Sequence, residues 1–301
     1  MNFCYSVVQV CSALKTEQEK KNVDFCYTVV IYFKRGEKIV KTAFIEIQEA
    51  KVRKANTLIQ KSHFDLTEKE QKIILYLISK IQPADTSFQE YAFSIKEFCE
   101  CAGIQYPAGY EYVKECLKHI ADKSIWIPFE KNDSLIRWLE YVDIDKVNHT
   151  INVRFDNRLK PYLLELKKNY TEYKLIYPLY FKHKYSTRLY EWLKSVYYDE
   201  SREYETIIQL EEIKKRMGAE IYKPYAHFKS RALIPALKEI NQVSDLKVKC
   251  GEFRNGTQKK VIALSFQIEK KSTAETVKAE MLLRQSLSIY FGQYTMIEID
   301  D

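Results

Sequence analysis

The chain has 301 residues, of which 46% are hydrophobic and 14% aromatic, so it can build about two domains with real cores and is not a disordered protein. Only 7 glycines and 7 prolines occur, which excludes collagen-like and linker-rich architectures. The formal net charge is +7.

The positive charge is concentrated in the second half of the chain. Residues 166–271 contain 22 basic and 13 acidic side chains, whereas residues 51–165 contain 17 of each. Residues 1–50 have 7 basic and 6 acidic side chains, and residues 272–301 have 2 and 5. This asymmetry indicates an acidic partner for the second half, nucleic acid or an anionic membrane, and a solvated basic surface is the alternative interpretation.

The 7 cysteines are odd in number and scattered, and no Cys-x-x-Cys pair occurs. They indicate neither a disulfide framework nor a zinc site, so we expect a cytoplasmic protein with no metal and no cofactor. The opening "MNFCYSVVQVCSALK" has no basic residue before its apolar run, which argues against a signal peptide. No stretch reaches the roughly 18 apolar residues of a membrane helix, so no membrane partner is expected.

Residues 1–51 are assigned to an N-terminal extension, for which the sequence allows more than one interpretation. Two apolar runs, 28–33 and 39–47, would pair as a hairpin around Arg35-Gly36. An extension without fixed structure, or a start codon assigned too far upstream, explains the same residues equally well.

The next segment, 52–165, has the order of a winged helix-turn-helix. "LTEKEQKIILYLISKI" begins with a capping box, Thr67 and Glu70, and continues with an apolar stripe at helical spacing. Helical patterns in "IKEFCECAGI" and "YEYVKECLKHIADK" follow. The period then changes to that of strands in "SIWIPF", "LIRWLEYVDI" and "TINVRF".

The same order recurs in residues 166–271. "YSTRLYEWLKSVYY" predicts a helix, "TIIQLEEIKKRMG" a strand and short helix, and "YAHFKSRALIPALKEIN" the third helix. A hairpin follows, with Asn255-Gly256 at its turn and Ile262, Leu264, Phe266 and Ile268 on one buried face. We therefore predict an α+β protein made of two tandem winged helix-turn-helix domains, with residues 272–301 as a tail.

The third helix of the second unit has two different faces when its residues are placed at steps of about 100°. Phe228, Ala232, Ala236 and Ile240 share the apolar side. The helix stripe, as we call the opposite side, carries His227, Ser230, Arg231, Ile234, Lys238 and Asn241. The following hairpin adds Lys247, Lys249, Arg254, Lys259 and Lys260.

Cationic, hydroxyl, amide and aliphatic groups of this kind contact phosphates, base edges and the thymine methyl group. The helix stripe and the hairpin therefore predict a duplex DNA reader, and an ordinary solvated helix with Asn241 as its C-cap is the alternative. Pro235 falls near the middle of the helix, where it removes a hydrogen bond and can bend the helix to follow a groove.

The corresponding helix of the first unit has mixed charge, from Glu111, Lys114, Glu115, Lys118 and His119. It predicts weaker DNA binding and favours protein contacts.

No catalytic residues are found. The five histidines are never paired around one apolar residue, as a rolling-circle nickase needs, and no phosphate-binding Gly-x-x-x-x-Gly-Lys loop occurs. We expect no enzyme activity.

Four stretches together carry a resemblance to a known family. They are "ANTLIQKSHFDLTEKEQKIILYLISKI", "FSIKEFCECAGI", "LYEWLKSVYY" and "YAHFKSRALIPALKEIN" followed by "SDLKV". Over about residues 52–270 the chain resembles the iteron-binding plasmid replication initiator (Rep) proteins, which have two tandem winged-helix domains. The resemblance does not extend to residues 1–50 or to the tail.

The resemblance implies a role in starting plasmid replication. Monomers of this family bind direct repeats (iterons) in double-stranded origin DNA, mainly through the third helix of the second domain. Dimers form through the first domain and repress the initiator's own promoter. Origin-bound monomers help to melt DNA and recruit the host replicative helicase, often with the host initiator. The residues that match the family's pattern are Lys229, Arg231, Lys238 and Asn241.

Two other hypotheses remain open on the sequence. A winged-helix transcriptional regulator without a role in initiation would share the fold and the basic helix. An interaction protein that binds no DNA would leave the helix stripe without a ligand.

Overall fold

A computed structural model describes residues 6–9, 28–34, 37–40, 50–102, 104, 109–148, 150–197, 203–256 and 259–290. The chain divides into two compact units, Met1–Gln48 and Glu49–Asp301. In the first unit, strands β1 (Ser6–Gln9), β2 (Thr28–Lys34) and β3 (Glu37–Val40) form an antiparallel sheet in that order. The β2–β3 pair confirms the predicted hairpin for residues 28–34 and 37–40, whereas its turn at Arg35-Gly36 and the predicted strand residues 41–47 lie outside the described residues.

The second unit starts with the predicted helix-turn-helix order. Its first helices are α1 (Asn56–Lys61), α2 (Glu68–Ser79), α3 (Ile95–Ala102), α4 (Gly109–Asp122) and the short α5 (Lys160–Leu163). Its first strands are β4 (Lys51–Ala55), β5 (Tyr91–Ser94), β6 (Ser124–Pro128), β7 (Asp133–Arg137), β8 (Leu139–Asp145), β9 (Thr150–Phe155) and β10 (Tyr170–Lys174). The sheets are β5-β9-β8, the hairpin β6-β7 and the pair β10-β4.

Helix α2 begins where the capping box predicts. The Thr67 hydroxyl accepts a hydrogen bond from the Glu70 backbone N–H at 3.3 Å, and the Thr67 N–H donates to the Glu70 carboxylate at 2.8 Å. The Lys123 ammonium donates to the same carboxylate at 2.7 Å, and these hydrogen bonds hold the pKa of Glu70 below its usual value although burial opposes them. The predicted apolar stripe is buried, which docks α2 in the core.

The segment "LIRWLEYVDI" is not one strand, as its pattern predicts, but two. Strand β7 pairs with β6 and strand β8 pairs with β9, so the chain leaves one sheet for the other at Trp138. The Trp138 ring is 1% exposed and contacts the Phe64 ring edge-to-face at 5.2 Å. The change of partner strand is a long-range event, and the local alternation of residues gives no sign of it.

The second half of the unit repeats the order. Its helices are α6 (Ile176–Tyr180), α7 (Lys184–Val196), α8 (Leu210–Met217), α9 (Tyr225–Phe228), α10 (Ile234–Val243) and α11 (Thr273–Tyr290). Strands β11 (Tyr204–Gln209), β12 (Leu246–Arg254) and β13 (Val261–Lys270) form an antiparallel sheet in the order β11-β13-β12. Gly218 ends α8 in the left-handed conformation, at φ 66°, which glycine adopts at a helix C-terminus without steric cost. None of the described helices is both long enough and apolar enough to cross a bilayer.

The hairpin β12–β13 departs from the predicted alternation at one residue. Leu264, Phe266 and Ile268 are buried, but Ile262 is 45% exposed. Arg254 pairs with Val261 while Phe253 pairs with Ala263, so Ile262 is an extra residue that shifts the alternation. The predicted turn at Asn255-Gly256 is part of a wider loop, which the Asn255 N–H closes by donating to the Lys260 carbonyl at 2.9 Å.

Helix α7 is buried on all sides, although its sequence predicts an amphipathic helix. Its polar side chains Ser186, Thr187, Glu191, Lys194 and Ser195 are each at most 7% exposed. Glu191 forms an ion pair with Lys54 of β4 at 2.6 Å and accepts a short hydrogen bond from the Tyr173 hydroxyl. Buried charges are stable only when paired in this way. Helix α7 is therefore tied to the strand that begins the unit.

Strand β10 lies after the predicted boundary between residues 165 and 166 but pairs with a strand that lies before it. It pairs in antiparallel register with β4, from Tyr170 opposite Ala55 to Lys174 opposite Lys51. The division into 52–165 and 166–271 stays a prediction, but a cut at that boundary would separate two paired strands. Experiments on this chain are therefore better designed as point substitutions than as truncations.

Removing the buried ammonium of Lys54 should destabilise the fold far more than removing the half-exposed one of Lys51. Lys54→Met should lower the free energy of unfolding by about 3 kcal/mol, because the Glu191 carboxylate stays buried without its cation. Lys51→Met breaks a pair with Glu172 whose lysine is 48% exposed, and it should cost less than about 1 kcal/mol. Urea unfolding followed by circular dichroism measures both, and equal losses would contradict the prediction.

Candidate nucleic-acid interface

The predicted third helix is interrupted by a π-helical turn, Lys229–Leu233, between α9 and α10. The Ile234 N–H bonds to the Lys229 carbonyl, five residues back rather than four. Pro235 follows as one of the first two residues of α10, where its missing N–H costs least. The wide turn and the proline belong together, because both interrupt the regular hydrogen-bond ladder at the same place. Such π turns are frequent at functional sites.

The two faces of the helix are as predicted. Phe228, Ala232, Ala236 and Ile240 are each fully buried. Most of the helix stripe is exposed to solvent, namely His227, Ser230, Arg231, Ile234 and Lys238. Ile234 is 49% exposed and lies between the exposed Arg231 and Lys238 on the stripe.

The C-terminal half of α10 is held by two sets of hydrogen bonds. Glu239 accepts hydrogen bonds from the backbone N–H groups of Lys182 and His183, at 3.0 and 3.2 Å, and from the Ser186 hydroxyl at 2.6 Å. The carboxylate thereby satisfies free donors at the start of α7. At the C-terminus of α10, the Lys271 ammonium donates to the carbonyls of Asn241 and Ser244 at 2.6 and 2.7 Å. The helix stripe is therefore carried on a fixed support.

Asn241, which is predicted to contact DNA, has its side-chain amide engaged within the protein. Its amide nitrogen donates to the Val248 carbonyl at 2.9 Å, and its amide oxygen accepts from the Val248 N–H at 2.7 Å. Both ends of the amide are thus engaged with strand β12. The side chain pairs with the strand as a neighbouring backbone would, so we assign it to docking the helix on the hairpin. Its predicted alternative role as a C-cap is performed by Lys271.

Lys229 is half-buried and paired with an acidic side chain. The Glu252 carboxylate of β12 accepts hydrogen bonds from the Lys229 ammonium and the Tyr225 hydroxyl, both at 2.7 Å, and a short one from the Arg254 guanidinium. The bonds from Lys229 and Tyr225 are the main causes that lower the pKa of Glu252 to about 2. This cluster, which we call the Glu252 junction, joins the helix to the hairpin.

The hairpin lysines do not all lie beside the helix stripe. Along β12 successive side chains point to opposite faces, so Lys247 and Lys249 lie on the face opposite to Glu252 and Arg254. Lys247 also pairs with Glu269 at 3.5 Å. Lys259 and Lys260 are exposed in the loop at the hairpin tip, where the Lys259 carbonyl accepts from Arg254 at 2.9 Å. The structure therefore associates Arg254 with the helix and separates Lys247 and Lys249 from it.

Sequence patterns did not reveal Tyr225 or Glu252 as members of this site. Tyr225 and Lys229 are four residues apart on one helical segment, and Glu252 and Arg254 share one face of a strand. Each spacing is visible in the sequence, but their meeting depends on how the helix docks on the sheet.

Helix α4, the equivalent in the first winged-helix segment, is neutralised internally. Lys114 pairs with Glu111 at 3.0 Å and Lys118 with Glu115 at 2.5 Å. This agrees with its predicted mixed charge. Among the described residues, no group of three or more His, Cys, Asp or Glu side chains is arranged to hold a metal ion.

Loss of the Asn241 amide should destabilise the protein. Asn241→Ala is expected to lower the free energy of unfolding by about 2 kcal/mol, because the buried backbone of Val248 loses a donor and an acceptor. The exposed neighbour Lys238→Ala serves as the control and should stay within about 0.5 kcal/mol of the parent. Thermal unfolding measures both. Unchanged stability of Asn241→Ala, together with lost DNA binding, would contradict this and support a direct contact of Asn241 with DNA.

Comparison with known proteins shows what this chain is similar to. A relative, a replication initiation protein of Escherichia coli, is 26% identical over 210 residues, which are 67% of this chain and 65% of that protein. The chain thus spans just under two thirds of the length of this curated relative. The crystal structure of the Pi initiator protein in complex with iteron DNA matches with a TM-score of 0.61 at 18% identity, over 75% of this chain and 99% of that one.

Two family models account for most of the folded second unit. The model of the initiator replication protein domain WH1 matches residues 51–194, and that of the initiator Rep protein domain WH2 matches residues 209–268. The predicted fold of two tandem winged-helix domains is thereby confirmed. Since both models match in order and together span about two thirds of the sequence, this chain belongs to the initiator Rep protein family.

Proposed function

We propose that this protein is a plasmid replication initiator that binds repeated double-stranded origin sites (iterons). The observation that carries the proposal is the helix stripe, in which Arg231, Ile234 and Lys238 are exposed on a helix whose other side is fixed to the core. A guanidinium, an aliphatic side chain and an ammonium on a rigid helix suit a guanine edge, a thymine methyl group and a phosphate. Family membership favours initiation over simple transcriptional regulation.

The finer steps are part of the same proposal. Origin-bound monomers would promote melting and recruit the host replicative helicase and the host initiator. Dimers formed through the first winged-helix segment would repress the protein's own promoter. Trp126 and Leu135 support self-association, because they face each other across β6 and β7 and are 42% and 56% exposed. The proposed setting is the cytoplasm, and no enzyme activity is part of the proposal.

Footprinting of the full chain on the DNA that flanks its gene tests the function. An initiator should protect several direct repeats. Protection of the repeats should occur at the same protein-to-DNA ratio, or binding to one repeat should promote binding to the next. Protection of one inverted repeat at a promoter would instead support the transcriptional regulator. No protection anywhere would support an interaction protein that does not bind DNA. Nicking of a supercoiled origin plasmid by the pure protein would contradict the absence of enzyme activity.

Arg231 and Lys238 should contribute differently to binding. Arg231→Ala is expected to cost about 1–3 kcal/mol on the protected repeat and much less on a scrambled duplex, because its planar fork can pair with both acceptors of a guanine. Lys238→Ala should weaken binding to both duplexes and reduce the salt slope by about one, as for a phosphate contact. Fluorescence anisotropy titrations at several salt concentrations measure these quantities. If Arg231→Ala loses the same binding free energy on both duplexes, Arg231 is a nonspecific phosphate contact.

Pro235 should matter for binding and not for folding. Pro235→Ala restores a backbone donor, so the protein should stay folded and unfold at an equal or higher temperature. Specific binding should nevertheless weaken, because a regular α-helical ladder would replace the π turn that places Arg231 and Lys238. Calorimetry and anisotropy measure the two effects. A variant that binds the repeat as tightly as the parent would show that the proline serves packing alone.

A further inference from the structure

The Glu252 junction puts a negative charge inside a surface that is proposed to bind a polyanion. Its Oε1 atom is 2.7 Å from both the Tyr225 hydroxyl and the Lys229 ammonium, and its Oε2 atom accepts from Arg254. The side chain is only 19% exposed, whereas those of Lys229 and Arg254 are 45% and 53% exposed. Two exposed cations, one from the helix and one from the hairpin, thus share one sheltered carboxylate.

A carboxylate at this place must weaken the attraction for any phosphate nearby. With two cations and one anion, the junction has a net charge of +1 instead of +2. The pKa of about 2 keeps Glu252 ionised under all ordinary binding conditions. A lysine or arginine that moves to a phosphate must also give up its existing ion pair, so its gain from phosphate neutralisation is reduced.

The helix stripe behaves differently. Within the part of the chain that the structure describes, Arg231 and Lys238 form no ion pair with a carboxylate. They are free to meet DNA. The two cations of the junction are instead held by Glu252, which also accepts from Tyr225, and Arg254 donates in addition to the Lys259 carbonyl. The surface therefore has two classes of cation, free ones on the stripe and held ones at its edge.

We propose that Glu252 is a positioning residue for sequence selectivity, which keeps Lys229 and Arg254 from following the phosphates of DNA that the helix stripe does not match. On a matching site, Lys229 and Arg254 would keep their positions at Glu252 beside a helix that is bound in the groove. On other DNA they would contribute little. This inference rests on the proposed function and assigns to an acidic side chain a part in selecting the site.

The test compares salt slopes on a protected repeat and on a scrambled duplex of equal length. Glu252→Gln keeps the shape of the side chain and removes its charge. On the scrambled duplex it should steepen the salt slope by about 0.9, the value for one additional phosphate contact. It should raise affinity there about threefold, as expected for removing a like charge near a phosphate in water. Affinity for the repeat should change less, so the ratio of the two affinities should fall.

A second variant gives an independent measurement. Lys229→Ala in the parent should leave the slope on scrambled DNA unchanged, because its ammonium is already held. In the Glu252→Gln background the same change should reduce the slope by about 0.9. Should Glu252→Gln fail to fold, Lys229→Ala alone decides, since a slope reduced by about one in the parent would overturn the proposal.

Two controls separate charge from structure. Glu205→Gln makes the same change in net charge on β11, an exposed position that β13 separates from β12, and it should leave slope and ratio at parent values. Tyr225→Phe removes one hydrogen bond of Glu252 but no charge, so it should leave the slope on scrambled DNA unchanged. If Glu252→Gln has the same salt slope on scrambled DNA as the parent and the same ratio of affinities for repeat and scrambled duplex, Glu252 is only structural.

Failure of this inference is distinguishable from failure of the proposed function. If the parent binds the repeat no more tightly than the scrambled duplex, the proposed function is wrong. The same follows if Arg231→Ala binds the repeat as tightly as the parent does. If the parent is selective and Arg231→Ala loses selectivity, but Glu252→Gln has the salt slopes and affinity ratio of the parent or Lys229→Ala alone lowers the slope on scrambled DNA, only the role of Glu252 is wrong. The slopes on scrambled DNA need no cognate site and can be measured in either case.

Discussion

The fold of the second unit depends on the pairing of charged and polar side chains around the buried helix α7. Glu191 binds Lys54 at 2.6 Å, and Arg188 donates to the backbone carbonyls of Phe64 and Ser62 at 2.9 and 3.1 Å. On another side, Lys194 pairs with Asp245, just beyond the end of α10, at 3.1 Å. Because buried charges are costly without their partners, these contacts allow few alternative placements of the neighbouring elements. One helix thus fixes both the first winged-helix segment and the helix that carries the candidate interface.

The interface inherits its rigidity from that support. Glu239 fastens the inner side of α10 to the start of α7, and Asn241 fastens its end to strand β12. Only the outer side chains remain free, so the geometry of the helix stripe is set before any ligand arrives. Preorganisation of this kind lowers the ordering cost of binding and favours selectivity, because a fixed set of groups matches few sequences.

Much of the architecture could be predicted from the sequence because its signals are local. The capping box at Thr67 and Glu70 places the start of α2, and the 3.6-residue period of Phe228, Ala232, Ala236 and Ile240 identifies the buried face of the third helix. Contacts between distant segments were not predictable in the same way. The pairing of β4 with β10 joins residues more than a hundred positions apart, and neither strand has a turn that links it to the other.

The sequence by itself determined the order of elements, the two winged-helix segments and the exposed cationic helix, since periodicity and capping are encoded within a few neighbouring residues. Only the tertiary structure decided which polar side chains are free. Asn241 and Arg231 belong to the same predicted stripe, yet one is engaged with the backbone of Val248 and the other is exposed. Likewise Lys229 and Lys238 are both lysines of one helix, but only Lys229 meets Glu252. The physical reason is that hydrogen bonds and ion pairs depend on distances of about 3 Å between atoms of different elements, which packing alone sets.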